Sequence, residues 1–297
     1  MTFLSHLITG LSLGSIYAII ALGYTMVYGI AKMLNFAHGD VIMVGAYICF
    51  FSVTMYGMPP VIGILFAMVL CTLLGILIER LAYKPLRQAA SLTVLITAIG
   101  VSYFLQNGAQ ILWSASPKSF PTDFFNIAGE KSITLFNGGL TISYVALVAV
   151  AACLIIMAAL TFFTSKTKMG KAMRACSENK GAAQLMGINV NSTISMTFAI
   201  GSALAAVAGV LMCSAYPTLM PTTGALPGIK AFTAAVFGGI GSIPGAFVGG
   251  ILLGIIETFT KAYITTNLSD AVVFGVLIVV LLVKPAGLLG KYVPEKV

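Results

Sequence analysis

The chain has 297 residues, of which 59% are hydrophobic and 8% charged, with a net charge of +8 and a mean hydropathy of +1.04. A chain this apolar cannot bury its nonpolar surface within its own core, so its composition excludes a soluble globular protein and makes the bilayer its solvent. The ten-residue alternating segments of membrane β-barrels are absent. The sequence therefore predicts an all-α polytopic membrane protein.

Nine apolar segments are predicted to form helices within a single transmembrane domain that covers residues 1–297. In chain order they are 7–30, 41–57, 59–82, 91–113, 141–163, 193–215, 226–241, 246–262 and 270–284. The 226–241 segment is short for a bilayer crossing. If it is re-entrant, eight segments span the membrane, and otherwise nine do. No basic region precedes the first segment, which indicates a retained span and not a cleaved signal peptide.

Basic residues are distributed unevenly among the connecting segments. The loops at 29–40, 80–90 and 164–192, together with the C-terminus, hold twelve of the sixteen Lys and Arg residues. Because positive charge accumulates on the cytoplasmic side of membrane proteins, this pattern places the C-terminus in the cytoplasm and the N-terminus outside. The 114–140 segment then becomes the largest external loop, and 164–192 a long basic cytoplasmic loop. Charge spread over short loops also argues against nucleic-acid binding.

Two Gly-rich apolar segments are interrupted by polar or helix-breaking residues. The first break contains Asn35, His38 and Asp40, and the second contains Gly241, Pro244 and Gly245. Paired broken helices are typical of the internal repeats of transporters, so these six residues are candidates for a gate or a helix break. For the first break we favour a structural role, because polar side chains at a turn cap helix ends and Asp40 suits a helix N-terminus.

Small residues recur at helical spacing in three series: Gly10, Gly14 and Ala18; Gly201, Ala205 and Gly209; and Gly241, Gly245 and Gly249. Such stripes allow helices to approach closely in lipid, and we interpret them as packing within this chain. Glu257 and Lys261 are four residues apart near the predicted outer interface. An ion pair on one helix face is the favoured interpretation, and an ion-translocation site is the alternative.

No catalytic constellation is present in the sequence. Neither Gly170-Lys171 nor Gly290-Lys291 belongs to a phosphate-binding loop, and zinc-protease and nucleophile-elbow motifs are absent. Two histidines cannot form a multi-histidine metal site, and the five cysteines have no metal-binding spacing. We therefore expect a non-catalytic chain without a metal or cofactor of its own. If ATP drives its function, another chain must hydrolyse it.

Four stretches together resemble one family of membrane proteins. They are Leu22–Gly29 leading into Asn35–Asp40, Ile78–Arg87, Gly170–Asn189 and Lys230–Gly245. These stretches resemble the permease subunits of bacterial ABC importers for branched-chain amino acids, most closely the H-type subunit. The likeness covers nearly the whole chain.

The resemblance implies import of leucine, isoleucine or valine across the bacterial inner membrane. It implies four partner chains: an M-type permease, two ATPase subunits that hold ATP and Mg, and a periplasmic binding protein. In this family the segment Glu178–Gly187 corresponds to the coupling helix that enters a groove on an ATPase. Ala182 and Ala183 would permit close approach, Glu178 would place a charge near the helix start, and Gly187 would end the helix in a left-handed conformation.

Two other functions remain open from the residues themselves. The chain could be a permease for a different small solute, such as a sugar, a nucleoside, an amide or urea, because apolar spans suit many neutral cargoes. It could instead be a self-sufficient secondary transporter in which Asp40 or Glu257 carries a proton or sodium ion. A membrane-embedded enzyme is disfavoured for want of catalytic residues.

Overall fold

The computed structural model describes residues 2–121, 125, 131–135 and 140–290. Parts of the predicted external loop 114–140, and the C-terminal residues 291–297, lie outside the described residues. The helices are α1 Thr2–Ala31, α2 His38–Thr54, α3 Pro60–Ile78, α4 Ser91–Trp113, α5 Tyr144–Lys166, α6 Lys168–Glu178, α7 Lys180–Leu185, α8 Val190–Ala215, α9 Ala225–Gly238, α10 Ile243–Tyr263 and α11 Ser269–Val283. Short antiparallel pairs join β1 Lys118–Ser119 to β4 Thr218–Leu219 and β2 Ser132–Leu135 to β3 Leu140–Ser143.

All nine predicted apolar segments are helical, which confirms the all-α class. Among the described residues, seven helices are long and apolar enough to cross a bilayer. One of the seven is α11 together with the preceding 3-10 turn, over Thr266–Val283. The other two apolar helices have fewer than 18 residues: α2 has 17 and α9 has 14. At about 1.5 Å per residue, α9 extends for about 21 Å and cannot cross a hydrocarbon layer of about 30 Å. The segment that the sequence marks as short is therefore a half-helix.

The core is built around α1 and α8, which are buried on nearly all sides. In each of these helices, 72% of the most apolar 18-residue stretch is buried, against 17% in α4 and 11% in α11. A helix that is hydrophobic all round and buried belongs at the centre of the bundle, whereas apolar helices with open faces lie against lipid. α2, α9 and α10 pack against this centre, and α3, α4, α5 and α11 form its outer layer.

Glycines allow α1 and α10 to pack with their backbones in contact. A Cβ atom on Gly14 would lie 2.7 Å from the carbonyl oxygen of Ile251, and one on Gly250 would lie 2.4 Å from the Cα of Ala18. The Gly10–Gly14–Ala18 stripe therefore packs within this chain, as the sequence analysis favours. Dispersion contacts between closely packed backbones are a principal source of helix association in lipid.

α2 and α9 begin next to each other inside the bundle. A Cβ atom on Gly39 would lie 2.7 Å from the carbonyl oxygen of Gly224, and one on Gly228 would lie 2.8 Å from the Cα of Gly39. The start of α2 also lies against Gly23, eight residues before the end of α1, which is a depth of about 12 Å along that helix. Two half-helices therefore meet at their N-terminal ends within the membrane region.

The two helix breaks that correspond to each other differ from the pair predicted from the sequence. The break that precedes α2, residues 32–37, is matched by the segment 216–224 that precedes α9. The segment predicted as the second break, around Gly241–Gly245, is instead the turn between α9 and α10. A repeat in which one long helix leads through a break into a half-helix is therefore present, but its second copy begins at α8.

Replacing Gly250 with alanine should destabilise the fold. The new methyl group would overlap the backbone of Ala18, and overpacking of this kind costs about 1–3 kcal/mol. The matched control is Gly100→Ala in α4, where an added Cβ meets nothing within 4 Å. Thermal unfolding in detergent should show a lower melting temperature for the first variant and an equal or slightly higher one for the second. Equal melting temperatures for both variants would contradict the close α1–α10 contact.

Candidate functional site: a docking loop and a charged cleft

The basic loop 164–192 folds into two short helices that are capped by side chains. The hydroxyl of Thr167 accepts a hydrogen bond from the backbone N–H of Gly170 at the start of α6, at 2.9 Å. The side-chain oxygen of Asn179 accepts one from the N–H of Ala182 at the start of α7, at 3.0 Å. Capping of this kind satisfies N–H groups that have no partner within the helix. We call residues 164–192 the docking loop.

Gly187 ends α7 in the left-handed conformation that the sequence predicts, with φ of +82°. Its N–H donates to the carbonyl of Gln184, and the N–H of Ile188 donates to the carbonyl of Ala183, both at 3.0 Å. This pair of bonds is the Schellman arrangement, which favours glycine at its left-handed position. The direction in which the chain leaves α7 therefore depends on Gly187.

The other predicted coupling residues are placed differently from one another. Glu178 is the last residue of α6, so the start of α7 is capped by Asn179 and not by Glu178. Ala182 is exposed, but Ala183 is buried against this chain and is not free to contact another one. Leu185 and Met186, which are not among the residues predicted from the sequence, are 89% and 82% exposed. An apolar pair this exposed, beside a basic surface, is typical of an interaction site.

Lys180 connects the docking loop to the central helix of the bundle. Its Nζ donates a 2.7 Å hydrogen bond to the carbonyl oxygen of Ala31, the last residue of α1. That carbonyl has no partner within the helix, so the bond satisfies a helix C-terminus with a positive charge. Burial lowers the pKa of Lys180, and the nearby charge of Arg87 lowers it further. The docking loop is thus tied to α1.

The polar residues at the first break make tertiary contacts and do not cap a helix. The Tyr83 hydroxyl donates to the side-chain oxygen of Asn35 at 2.9 Å, and the Gln106 amide donates to Asp40 at 2.8 Å. Asn35 and Asp40 are both buried, and Ala37, the N-cap of α2, provides no side-chain bond. The predicted capping role is therefore wrong, and the predicted place of Asp40 in the first turn of α2 is correct.

His38 is also buried at the break, with its ring centroid 4.6 Å from that of Tyr24. A Cβ atom on Gly23 would lie 2.6 Å from its Nε2. The imidazole therefore fills the space left by Gly23, between α1 and the start of α2. The environment of His38 is that of a packed core residue.

Gly241, Pro244 and Gly245 form the turn from α9 to α10. Gly239 and Gly241 have φ of +108° and +93°, and Pro244 lies in the first turn of α10. The Ser242 hydroxyl caps that helix by accepting from the N–H of Gly245 at 3.2 Å. Proline in the first turn and glycine at positive φ are the residues that such a connection requires.

Glu257 is the centre of a buried ionic cluster. Its Oε1 accepts from Lys230 Nζ at 2.8 Å and from Lys261 Nζ at 2.6 Å, and its Oε2 accepts from the Tyr17 hydroxyl at 2.9 Å. Lys230 Nζ also lies 2.6 Å from Asp270 Oδ1. Glu257 and Lys230 are 1% and 6% exposed. The cluster links α1, α9, α10 and α11 and contains two positive and two negative groups.

The predicted pair of Glu257 with Lys261 is confirmed, but the sequence analysis missed the buried position of the carboxylate and its other partners. Lys230 and Tyr17 are 27 and 240 residues away from Glu257 in the chain, so no local spacing reveals them. Lys230 lies within α9 and is buried there. A lysine inside an apolar segment was the available signal for a buried ion pair.

The ionic cluster forms part of the wall of a cleft of about 380 Å³. Its lining residues come from α1, α8, α9, α10 and the 216–224 break: Leu13, Tyr17, Met212, Tyr216, Thr218, Met220, Thr222, Thr223, Leu226, Pro227, Lys230, Glu257 and Lys261. The C-terminal ends of α8 and α10 border the cleft. The docking loop precedes the N-terminus of α8, so the cleft and the docking loop lie toward opposite sides of the bundle. We call this feature the charged cleft.

Half-helices that meet within the membrane, together with a charged cleft, define a polytopic transport protein of the permease class. Residues 6–281 match the family of branched-chain amino acid transport system permease components, and the chain belongs to that family.

Relatives of this chain are similar over nearly their full length. The chain is 46% identical to the high-affinity branched-chain amino acid transport system permease protein BraD of Pseudomonas aeruginosa, over 99% of this chain and 98% of that protein. It is 44% identical to LivH of Escherichia coli K12, over the same shares. A probable LivH of Methanocaldococcus jannaschii is 31% identical over 93% and 89% of the two chains.

Removing the charge of Glu257 should destabilise the protein far more than removing that of Asp270. Glu257→Gln would leave Lys230 buried with a lost partner, and breaking a buried ion pair costs about 3–5 kcal/mol. Asp270 is 47% exposed in its side chain, so Asp270→Asn should have a small effect. Chemical or thermal unfolding in detergent measures the difference. Equal losses for the two variants would show that burial of Glu257 does not control the cluster.

Proposed function

We propose that this chain is the permease subunit of an ATP-driven importer that moves leucine, isoleucine and valine across the bacterial inner membrane. Membership of the permease family and the high identity over nearly the whole chain support the cargo class. The partners are an M-type permease, two ATPase subunits that bind ATP and Mg, and a periplasmic binding protein. This chain itself binds no nucleotide and catalyses no reaction.

The proposal that an ATPase drives transport is based on the exposed end of the docking loop. Leu185 and Met186 protrude at the end of α7, and Lys180 at its beginning is bonded to α1. Burying two such side chains in a groove would contribute about 1.5–3 kcal/mol each to docking. The sequence has no phosphate-binding loop. Helix α7 therefore has an exposed apolar end that can contact another subunit and a bond to the central helix α1. Such an element can transmit motion from that subunit to α1.

Force on the docking loop would reach the charged cleft through α1. Ala31 and Tyr17 lie at the two ends of a segment of α1 that extends for about 21 Å. Tyr17 binds Glu257, and the glycine contacts between α1 and α10, from Gly10 to Ala18, hold the two helices together at the Tyr17 end of this segment. Because closely packed helices move as rigid units, displacement of α7 would shift α1 and α10 together.

Ion-coupled secondary transport is less well supported by the side chains that it would need. Glu257 is already bonded to two lysines and a tyrosine. Asp40 receives a hydrogen bond from Gln106 in a buried position. Both carboxylates therefore have structural partners. The alternative of a permease for a different small solute has less support, because the relatives that match nearly the whole length of the chain are named for branched-chain amino acids.

Uptake of radiolabelled leucine tests the proposed function. Cells with the complete set of subunits should accumulate leucine, and loss of the ATPases or of the binding protein should abolish accumulation. Accumulation should persist when an uncoupler removes the proton gradient while ATP is maintained. Uptake by the purified chain alone in liposomes, driven by an ion gradient without ATP, would contradict the proposal.

Two glycines at the ends of α7 provide a matched test of coupling. Gly187→Ala forces a side chain into φ of +82°, whereas Gly181→Ala adds a methyl group inside the helix without that constraint. The strained substitution should cost about 1 kcal/mol or more in local stability and misdirect the exit from α7. Substrate-stimulated ATP hydrolysis in reconstituted complexes should fall for Gly187→Ala and be retained for Gly181→Ala. Equal coupling in both variants would argue against α7 as the docking element.

The orientation of the docking loop can be tested with introduced thiols. Cys176 is buried, so it cannot serve as the reporter, whereas Ala182 and Ser119 are exposed. In intact cells a membrane-impermeant thiol reagent should label Ser119→Cys and spare Ala182→Cys, because the positive-inside rule places the basic loop in the cytoplasm. Inverted vesicles should reverse the pattern. Labelling of Ala182→Cys from outside would overturn the orientation.

A further inference from the structure

We propose that the charged cleft is a cargo-contact site that binds a zwitterionic aliphatic amino acid, with the carboxylate of the cargo held by Lys261. This proposal rests on the proposed function, since it assigns a place within this chain to the same class of cargo. The new element is the set of residues that would contact the carboxylate, the ammonium group and the side chain of the cargo.

The size and the apolar part of the cleft suit a small aliphatic side chain. Its volume of about 380 Å³ lies near the lower end of the range of small-molecule sites, about 300–1,000 Å³. Leu13, Met212, Met220 and Leu226 form an apolar part of the lining. Unbranched methionine side chains adapt to aliphatic groups of different shape, which fits a site that accepts leucine, isoleucine and valine alike.

Lys261 is the cationic group of the lining that can meet a carboxylate. Two lysines and one glutamate line the cleft, and Asp270, which is paired with Lys230, balances the second lysine. Lys230 is held between Glu257 and Asp270, whereas Lys261 is bonded to Glu257 and is 37% exposed in its side chain. A lysine ammonium has three N–H donors. Lys261 can therefore keep its bond to Glu257 and donate another to a carboxylate in the cleft.

The start of α9 forms an adjoining wall of the cleft through Leu226 and Pro227. Pro227 has no N–H group, and the N–H groups of Ala225 and Gly228 donate to the carbonyls of Thr222 and Gly224. This part of the wall therefore contributes mainly apolar surface, and the carboxylate of the cargo is assigned to Lys261.

The ammonium group of the cargo has acceptors in the same cleft. Glu257 accepts three hydrogen bonds, and a carboxylate offers about four acceptor positions. Tyr17 and Tyr216 also line the cleft, and a tyrosine oxygen can accept a hydrogen bond. The cleft thus combines acceptors, a partly exposed cationic donor and an apolar wall, which together match a zwitterion with an aliphatic side chain.

Protection of an introduced thiol tests this assignment directly. Thr222 lines the cleft and is exposed, and the five native cysteines are buried, so Thr222→Cys gives a selective reporter. The test uses the assembled permease–ATPase complex in nanodiscs, without the binding protein. At a leucine concentration of ten times its Kd, the labelling rate should fall about tenfold by mass action. 4-Methylpentanoate, which keeps the carboxylate, should protect, whereas leucinol, which lacks it, should not.

Substitutions of Lys261 identify the group that holds the carboxylate. In the Thr222→Cys background, Lys261→Gln should abolish protection by leucine, and Lys261→Arg should retain it. Two controls are included. Lys284→Gln changes a lysine outside the cleft and should retain protection, and a reporter at Met55→Cys, at the far end of α2, should not be protected by leucine. An unchanged labelling rate without cargo shows that the variant is folded, and the comparison of leucine with leucinol does not depend on any variant of Lys261.

The outcomes separate this proposal from the proposed function. Absence of protection by leucine, equal protection by leucinol, or full protection in Lys261→Gln would each overturn the cleft assignment, even if ATP-dependent leucine uptake is normal. Leucine uptake that does not require the ATPases would contradict the proposed function. Protection of the thiol in the cleft would, even then, support binding of the zwitterion there.

Discussion

The constraint on which the structure depends is that two helices begin inside the bilayer, where backbone groups cannot be satisfied by water. Irregular backbone at membrane depth is tolerated only when protein surrounds it or a water-filled cavity adjoins it. The 32–37 break is covered by α1 and Tyr83, and the 216–224 break borders the charged cleft. Gly39 and Gly224 allow the two half-helices to start in contact. Any larger side chain there would push the N-termini apart and open both breaks.

The ionic cluster follows from the same arrangement. The half-helix α9 has 14 residues, most of them buried, and Lys230 connects it to two other helices through Glu257 and Asp270. Charges at membrane depth are costly unless they are paired and hydrogen-bonded. Here the two lysines and two carboxylates balance, and the tyrosine hydroxyl satisfies the remaining carboxylate oxygen. The cluster links α9 to α1, α10 and α11.

The sequence predicts elements well and tertiary partners poorly, for physical reasons. Long apolar runs define the nine helices, the short length of 226–241 marks a half-helix, and Gly187 predicts its own left-handed turn. Glu257 and Lys261 are neighbours on one helix face, so their pair follows from spacing. The bonds from Lys230 and Tyr17 to Glu257 depend on how distant helices pack, which no local pattern contains. The position of the second break is wrong for the same reason. Glycine-rich stretches predict it at Gly241–Gly245, which is the turn between α9 and α10, whereas the break lies at 216–224.

Transport requires that the contact between the half-helices open while the rest of the bundle holds. α1 and α10 are joined backbone to backbone along their length, so they form one rigid unit that includes the attachment of the docking loop at Ala31. α9 is different: it is short, it begins at an irregular segment, and it ends at Gly239 and Gly241, both at positive φ. Such glycines absorb changes of backbone angle with little strain. Lysine side chains are flexible enough to keep an ion pair through a displacement of the helix that carries them. The N-terminal end of α9 is therefore the part of this helix best able to move against α1. The C-terminal half of α9 is held to α10, since a Cβ atom on Gly249 would lie 2.2 Å from the carbonyl oxygen of Ala234. The N-terminal end separates the charged cleft from the interior of the bundle.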